Sequence, residues 1–133
     1  MMRRTGPLWP VLFFCLGLLG QAAVLAAQPS QPVISIIIDD LGKRLELGQR
    51  VLQLPGPVAC AFLPQAPHTR ELAIAAHAGG KEVMLHQPMD SIDGRRLDGG
   101  AVTVNMTRGQ FAAMVAAHIA TIPHGQGVNN HMD

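Results

Sequence analysis

The chain has 133 residues, a net charge of +1 and only 14% charged residues, so its charge balance predicts neither a strongly acidic nor a strongly basic partner. It contains no tyrosine, and its basic residues form no block beyond the amino-terminal Arg3 and Arg4. A nucleic-acid surface usually combines clustered Lys and Arg with aromatic platforms, so this class of partner is disfavoured.

The first 27 residues predict a secretory signal peptide. Arg3 and Arg4 precede an apolar stretch over residues 8–19, and small residues follow up to Ala26 and Ala27. A basic start, an apolar centre and small residues at the cleavage site are the layout of such a signal. An uncleaved membrane anchor is the alternative, because the stretch approaches the roughly 20 residues that span a bilayer. Both interpretations predict export to the periplasm or cell envelope.

Residues 28–32 form a short polar linker, and residues 33–133 are predicted to form one domain. About a hundred residues are enough for one small hydrophobic core and too few for two. Cys15 lies in the signal segment, so only Cys60 would remain after cleavage and no internal disulfide can form. A single thiol in this setting is expected to fill space in the core.

Beyond residue 32 the hydrophobic pattern alternates between strands and helices. Predicted strands cover residues 33–38, 58–63 and 81–85, and a fourth begins near residue 127. Predicted helices cover residues 43–54, 69–78 and 107–122, and a polar loop covers residues 87–100. Helix-sized connections require parallel strands, so the predicted fold is α/β with a parallel sheet.

Three local signals refine this prediction. The continuous Val and Ile run of residues 33–38 is typical of a central strand that is covered on both faces. Thr69 is in position to cap the second helix. Thr107 and Gln110 have the spacing of a capping box at the start of the third helix.

Chemistry-bearing residues fall at three predicted strand ends. Asp39 and Asp40 follow the first strand, His86 follows the third, and His131 lies in the fourth. Carboxyl ends of parallel strands share one face of a sheet, where ligand sites commonly lie. One carboxylate and two imidazoles would leave an open position on a divalent ion, and the second carboxylate could act as a base. A solvated Asp-Asp turn with structural histidines is the alternative interpretation.

Three segments resemble, in the correct order, the signatures of the divergent polysaccharide deacetylases, which are exported proteins related to carbohydrate esterases. The segments are residues 36–42 (IIIDDLG), 84–89 (MLHQPM) and 127–132 (GVNNHM). The resemblance implies the amino-terminal half of a distorted (β/α) barrel with a divalent-metal site at its upper rim. It also implies hydrolysis of acetyl groups on a polysaccharide substrate.

The resemblance further implies the roles of individual residues. Asp40, His86 and His131 are the expected metal ligands, with zinc the expected ion, and Asp39 is the expected base. The family signature continues with Gly-Ser after its methionine, whereas Asp133 follows Met132 here. We therefore expect a copy that is truncated at its carboxyl end, which leaves its own activity open.

Two other functions remain to be weighed against a metal-dependent deacetylase. The same fold could serve as a non-catalytic binding or interaction module of the cell envelope. Paired strand-end aspartates can also hold Mg²⁺ for phosphoryl transfer, but the sequence has no Gly-rich phosphate loop, which disfavours that chemistry. No membrane contact is predicted beyond the signal segment.

Overall fold

The computed structural model describes residues 32–94 and 99–131, with His131 described by its backbone alone. The predicted signal peptide lies outside these residues, as does the predicted linker except for Pro32. The chain divides into two units, Met1–Val33 and Ile34–Asp133, and the fold described below is that of the second. None of the helices in the described ranges is long and apolar enough to cross a bilayer.

Four strands and three helices alternate along the described residues. The strands are β1 (Ile36–Leu41), β2 (Val58–Phe62), β3 (Glu82–Pro88) and β4 (Gly127–His131). The helices are α1 (Leu45–Leu52), α2 (Thr69–Ala78) and α3 (Arg108–Thr121). All three strand pairs are parallel and the sheet order is β1-β2-β3-β4. The predicted α/β fold with a parallel sheet is confirmed.

The predicted position of the first strand is wrong in two respects. The strand begins at Ile36 rather than at residue 33, and both aspartates lie inside it. It is an edge strand that pairs only with β2 among the described strands, so Ile36 and Ile37 are exposed. The fully buried strand is β2, in which all five residues are covered. A Val/Ile run favours a strand but does not place it at the centre of a sheet.

The hydrophobic core lies between the sheet and the helices. It is formed by buried side chains from β2 and β3, from helix α2, and from the ends of β1 and α3, including Leu41, Phe62, Leu72, Leu85 and Ile122. Cys60 is fully buried in this core, as predicted. Burial raises the pKa of the Cys60 thiol and the charge of Lys81 lowers it, with burial the larger effect, so the thiol is a protonated core group.

The helices are held by close contacts and by capping. A Cβ at Gly48 of α1 would overlap the side chain of Leu72 on α2, so a larger residue there would require the buried Leu72 to move. The predicted cap at Thr69 is wrong: Thr69 is the first helical residue, and its hydroxyl donates to the Leu63 carbonyl. The capping box of Thr107 and Gln110 at the start of α3 is confirmed.

Strand β3 is longer than predicted. It continues through Gln87 and Pro88, which were expected to lie in a loop. The extension is stabilised by β4, whose Asn129 pairs with His86 in the ladder, and by a parallel bridge from Met89 to Val102. As a result, His86 lies inside a paired strand rather than at a loose strand end.

Candidate functional site

A β-bulge lies at the carboxyl end of β1, at the two aspartates. Ile38 pairs with Cys60 and Leu41 pairs with Phe62, so three steps along β1 match two steps along β2. Asp40 has a φ of 57°, a left-handed conformation that aspartate tolerates better than most residues. The extra residue brings Leu41 into the core beside Ile38, and it changes the direction of the Asp40 side chain.

The bulge brings Asp40 to His86. Its carboxylate Oδ1 lies 3.7 Å from Nε2 of His86, although β2 separates the two strands. By register, Ala59 and Ala61 of β2 lie on the same face as Met84 and His86, so the strand between the two groups carries only methyl side chains there. Small residues on the intervening strand leave room for the Asp40 and His86 side chains to approach each other.

The two partners differ in their exposure to solvent. The Asp40 side chain is 52% exposed, whereas the His86 side chain is 2% exposed. One side of the pair therefore opens to solvent and the other is anchored in the sheet. A cleft of about 340 Å³ beside the pair is lined by both aspartates together with residues of the β1–α1 turn and helix α1.

The turn after Asp40 is fixed by a close approach of two loops. Gly42 has a φ of +110°. A Cβ there would overlap Oγ1 of Thr69 and would lie 2.9 Å from the Cβ of Ala66. The Gly42 carbonyl accepts a hydrogen bond from the backbone N–H of His68 at 3.0 Å. Only glycine allows both the positive φ and the close contact with Thr69 and Ala66. The DDLG segment therefore holds the bulge in place as well as supplying the carboxylates.

The next residue of β3, Gln87, faces the other side of the sheet. Its Nε2 donates to the carbonyls of Pro88 at 2.9 Å and Gly100 at 3.2 Å. Its Oε1 therefore acts as the acceptor toward Nδ1 of His118 on α3, 2.8 Å away. Burial lowers the pKa of His118, which favours a neutral ring with the proton on Nδ1. Gln87 was expected to lie in a loop, so this structural role was not predicted, although strand alternation from His86 would place Gln87 on the opposite face.

The remaining predicted site residues are placed less completely. Asp39 is exposed on β1 and shares the cleft with Asp40. The backbone of His131 pairs with Pro88, so by register it lies on the β4 side of the strand that carries His86. The His131 side chain is outside the described residues. Within the ranges that the structure describes, no group of three or more His, Cys, Asp or Glu side chains could together hold a metal.

The Asp40 and His86 pair nevertheless fits a shared divalent ion. Zinc bonds to oxygen and nitrogen of about 2.0–2.2 Å place two ligand atoms of a tetrahedral site roughly 3.4 Å apart. The observed 3.7 Å between Oδ1 and Nε2 is within a few tenths of an ångström of that value. A carboxylate and an imidazole also form a donor set that zinc and other divalent transition metals accept. Asp40 and His86 would therefore supply two of the ligands.

A family model matches the sequence that forms this fold. Residues 36–133 match the model of the divergent polysaccharide deacetylases, which includes β1, the paired aspartates, His86 and β4. Because this match covers most of the chain, the protein belongs to the divergent polysaccharide deacetylase family.

Two curated bacterial proteins are similar in sequence. The uncharacterized protein YibQ of Escherichia coli K12 is 35% identical over 115 residues, which cover 84% of this chain and 35% of YibQ. An uncharacterized protein of Haemophilus influenzae is 26% identical over 103 residues, which cover 77% of this chain and 37% of that protein. The chain thus spans about a third of the length of these curated relatives.

A solved structure has the same fold. The crystal structure of uncharacterized protein ATU2773 from Agrobacterium tumefaciens C58 matches with a TM-score of 0.68 and 19% sequence identity. The match covers 74% of this chain and 41% of that protein. The parallel sheet with its helices is therefore shared with a larger protein, which is compatible with part of a barrel.

Proposed function

We propose that the protein is an exported, metal-dependent carbohydrate deacetylase that hydrolyses acetyl groups on a polysaccharide. The observation that carries the proposal is the bulge in β1, which brings the Asp40 carboxylate to 3.7 Å from the buried imidazole of His86. In this proposal Asp40, His86 and His131 hold the ion, with zinc the expected metal. Membership of the divergent polysaccharide deacetylase family supports the choice of reaction.

The chain's own groups would divide the chemistry between them. A bound divalent ion would polarise the acetyl carbonyl and make water more acidic. Asp39 would accept a proton from the water that attacks the acetyl carbon. The bond from that carbon to the sugar nitrogen or oxygen then breaks, acetate forms, and the sugar amine or hydroxyl takes up the proton. The burial of His86 would keep its imidazole in one orientation.

Zinc titration followed by thermal unfolding tests the metal site. In the whole chain we expect one equivalent of zinc to bind and to raise the unfolding midpoint. Asp40→Asn changes an exposed group with little volume change, and it should raise the zinc Kd by at least about 100-fold. His77→Ala is the matched control, because it removes an imidazole that is not one of the proposed ligands and should leave the zinc Kd unchanged. His77 lies in the last turn of α2, and its ring stacks on His124 with 3.9 Å between the ring centroids.

Acetate release from an acetylated polysaccharide tests the reaction. Asp39→Asn should retain zinc binding and lose acetate release, because the base is removed while the proposed ligands stay. Zinc binding that Asp40→Asn and His86→Gln leave unchanged would reject the proposed metal site. Acetate release that is unchanged in Asp39→Asn would reject the role of Asp39 as base.

A non-catalytic interaction module is the second candidate, and the exposed edge of β1 favours it. Ile36 and Ile37 are exposed on a strand whose outer edge is not paired with any other described strand. Such edges are templates for pairing with another chain. For this function, Asp39→Asn should leave partner binding intact, and Ile37→Lys should weaken it. Partner binding that Ile37→Lys leaves unchanged would reject this second function.

A further inference from the structure

A second open groove lies at the carboxyl end of β3, between the residues that follow this strand and the start of helix α3. It has a volume of about 420 Å³ and its lining includes Met89, Asp90, Val104, Met106, Arg108 and Phe111. We name it the loop groove. Its volume lies in the range of about 300–1,000 Å³ that is typical of small-molecule sites.

The loop groove is built on paired backbone. Met89 bridges to Val102, whose N–H donates to the Pro88 carbonyl at 2.9 Å. The Asp90 N–H donates to the Val102 carbonyl at 3.0 Å, and Oδ2 of Asp90 accepts from the Val104 N–H at 2.9 Å. These bonds tie residues 102–104 of the groove to the end of β3, so the shape of this wall depends on regular structure.

The side chains of the groove combine an aromatic ring with charges of both signs. Phe111 is 43% exposed although it is a large apolar residue, and Val104 beside it is also exposed. Asp90 uses Oδ2 for the loop, which leaves Oδ1 as an acceptor. Arg108 is exposed and forms no ion pair with another described residue, so its guanidinium can donate to a ligand.

This chemistry fits a sugar ring. The apolar face of a pyranose can pack on a phenyl ring while its hydroxyl and amide groups reach an acceptor on one side and a donor on the other. One negative and one positive group leave the groove without net charge, which favours an uncharged glycan over an anionic or a cationic ligand.

We propose that the loop groove is a glycan subsite that binds an uncharged N-acetylated sugar of the polysaccharide. The proposal rests on the proposed deacetylase function, because it assigns a second contact on the same substrate. By strand alternation Met89 lies on the Gln87 face, so the groove opens beside α3 rather than on the face of Asp40 and His86. Met89 lies three residues after His86, about 10 Å along the strand at about 3.3 Å per residue, so a glycan of several sugar units would contact both sites by passing over the rim where β3 ends.

Titration of the whole chain with N-acetylchitopentaose, in the presence of a metal chelator, tests the subsite. Binding without metal separates this test from catalysis. We expect saturable binding with backbone amide shifts at Val104 and Phe111, and we expect Phe111→Ala to raise the Kd by about tenfold. Phe111→Tyr retains the ring and should retain binding. Ile119→Ala is the matched control, because Ile119 lies on the same helix and is 46% exposed.

Each outcome decides the proposal. Binding that is weakened by Phe111→Ala, but not by Ile119→Ala, supports the subsite. The absence of acetate release would reject the proposed function and would leave this support for the subsite intact. Binding that Phe111→Ala leaves unchanged overturns the subsite. Acetate release together with no chelator-resistant glycan binding also overturns it while leaving the proposed function standing. Amide shifts at Phe111 with a short apolar peptide, and none with the glycan, would assign the groove to a different occupant and overturn the proposal.

Discussion

His86 and His118 are both buried, yet they lie on opposite faces of the sheet in different polar surroundings. His118 faces the neutral amide of Gln87, which is itself fully buried and bonded to two carbonyls. His86 faces the carboxylate of Asp40, half of which is open to solvent. Burial alone therefore does not distinguish the two histidines. The difference lies in the group opposite each ring, which is a buried neutral amide for His118 and a half-exposed carboxylate for His86.

The largest expected effect concerns the turn that holds Asp40. Gly42→Ala should lower the free energy of unfolding by about 3 kcal/mol or more, because a Cβ at a φ of +110° meets Thr69 and Ala66. Gly56→Ala is the control: its φ is +81° but nothing lies within 4 Å of the added Cβ, so about 1–2 kcal/mol is expected. Urea unfolding of both variants measures the difference, and equal losses would show that the loop contact is unimportant.

The next largest effect is expected at Gln87, the buried amide that faces His118. Gln87→Met should lower the free energy of unfolding by about 2 kcal/mol, because the carbonyls of Pro88 and Gly100 and the ring of His118 each lose a partner. The zinc affinity should remain within about twofold, since Gln87 faces away from Asp40. Gln126→Met, at an exposed amide, is the control and should change stability by less than about 0.5 kcal/mol. A large loss of zinc binding in Gln87→Met would show that the two faces are coupled.

A smaller effect is expected at the start of the helix that carries His118. Thr107→Ala removes the hydroxyl that accepts from the Gln110 N–H, and it should lower the free energy of unfolding by about 1 kcal/mol. Thr107→Ser retains the hydroxyl and should remain close to the original stability. If Thr107→Ala unfolds at the same urea concentration as the original chain, the capping box contributes nothing to α3.

The smallest effect is the pH dependence that His118 contributes. Its pKa is lowered by burial in the folded state, so the unfolded chain binds a proton more readily. The neutral ring's contribution to stability is complete above the ordinary histidine pKa and is lost as the pH falls through that value toward the lowered one. Unfolding midpoints at pH 7.5 and 5.5 should therefore differ less in His118→Gln than in the original chain. An equal difference in both proteins would remove His118 as the cause.

Local signals carried the prediction of the elements. The spacing of Thr107 and Gln110 located the start of α3, because a helix cap acts within a few residues. The same local reasoning was wrong at Thr69 because Leu63, six residues earlier, competes for its hydroxyl through the folded loop. Such a competing contact is invisible in a pattern of neighbouring residues.

The candidate site could be predicted only in part. Three motifs identified Asp39, Asp40, His86 and His131 as residues of interest, and parallel pairing predicted that their strand ends share one edge. The aspartate that approaches His86 is selected by the bulge between Ile38 and Leu41. This bulge cannot be predicted from the regular alternation of side chains along a strand. The roles of Asp39 as base and of His131 as ligand stay predictions.

The alternation of strands and helices, their parallel pairing and the family signatures could be predicted from the sequence, because they depend on local propensity, caps, connection length and short motifs. Three features became visible only in the folded chain: β1 is an edge strand, Asp40 approaches His86 across β2, and Gln87 joins His118 to the Gly100 carbonyl. Sheet order and bulges arise from contacts between residues far apart in the chain. Those contacts are set by how the elements pack together.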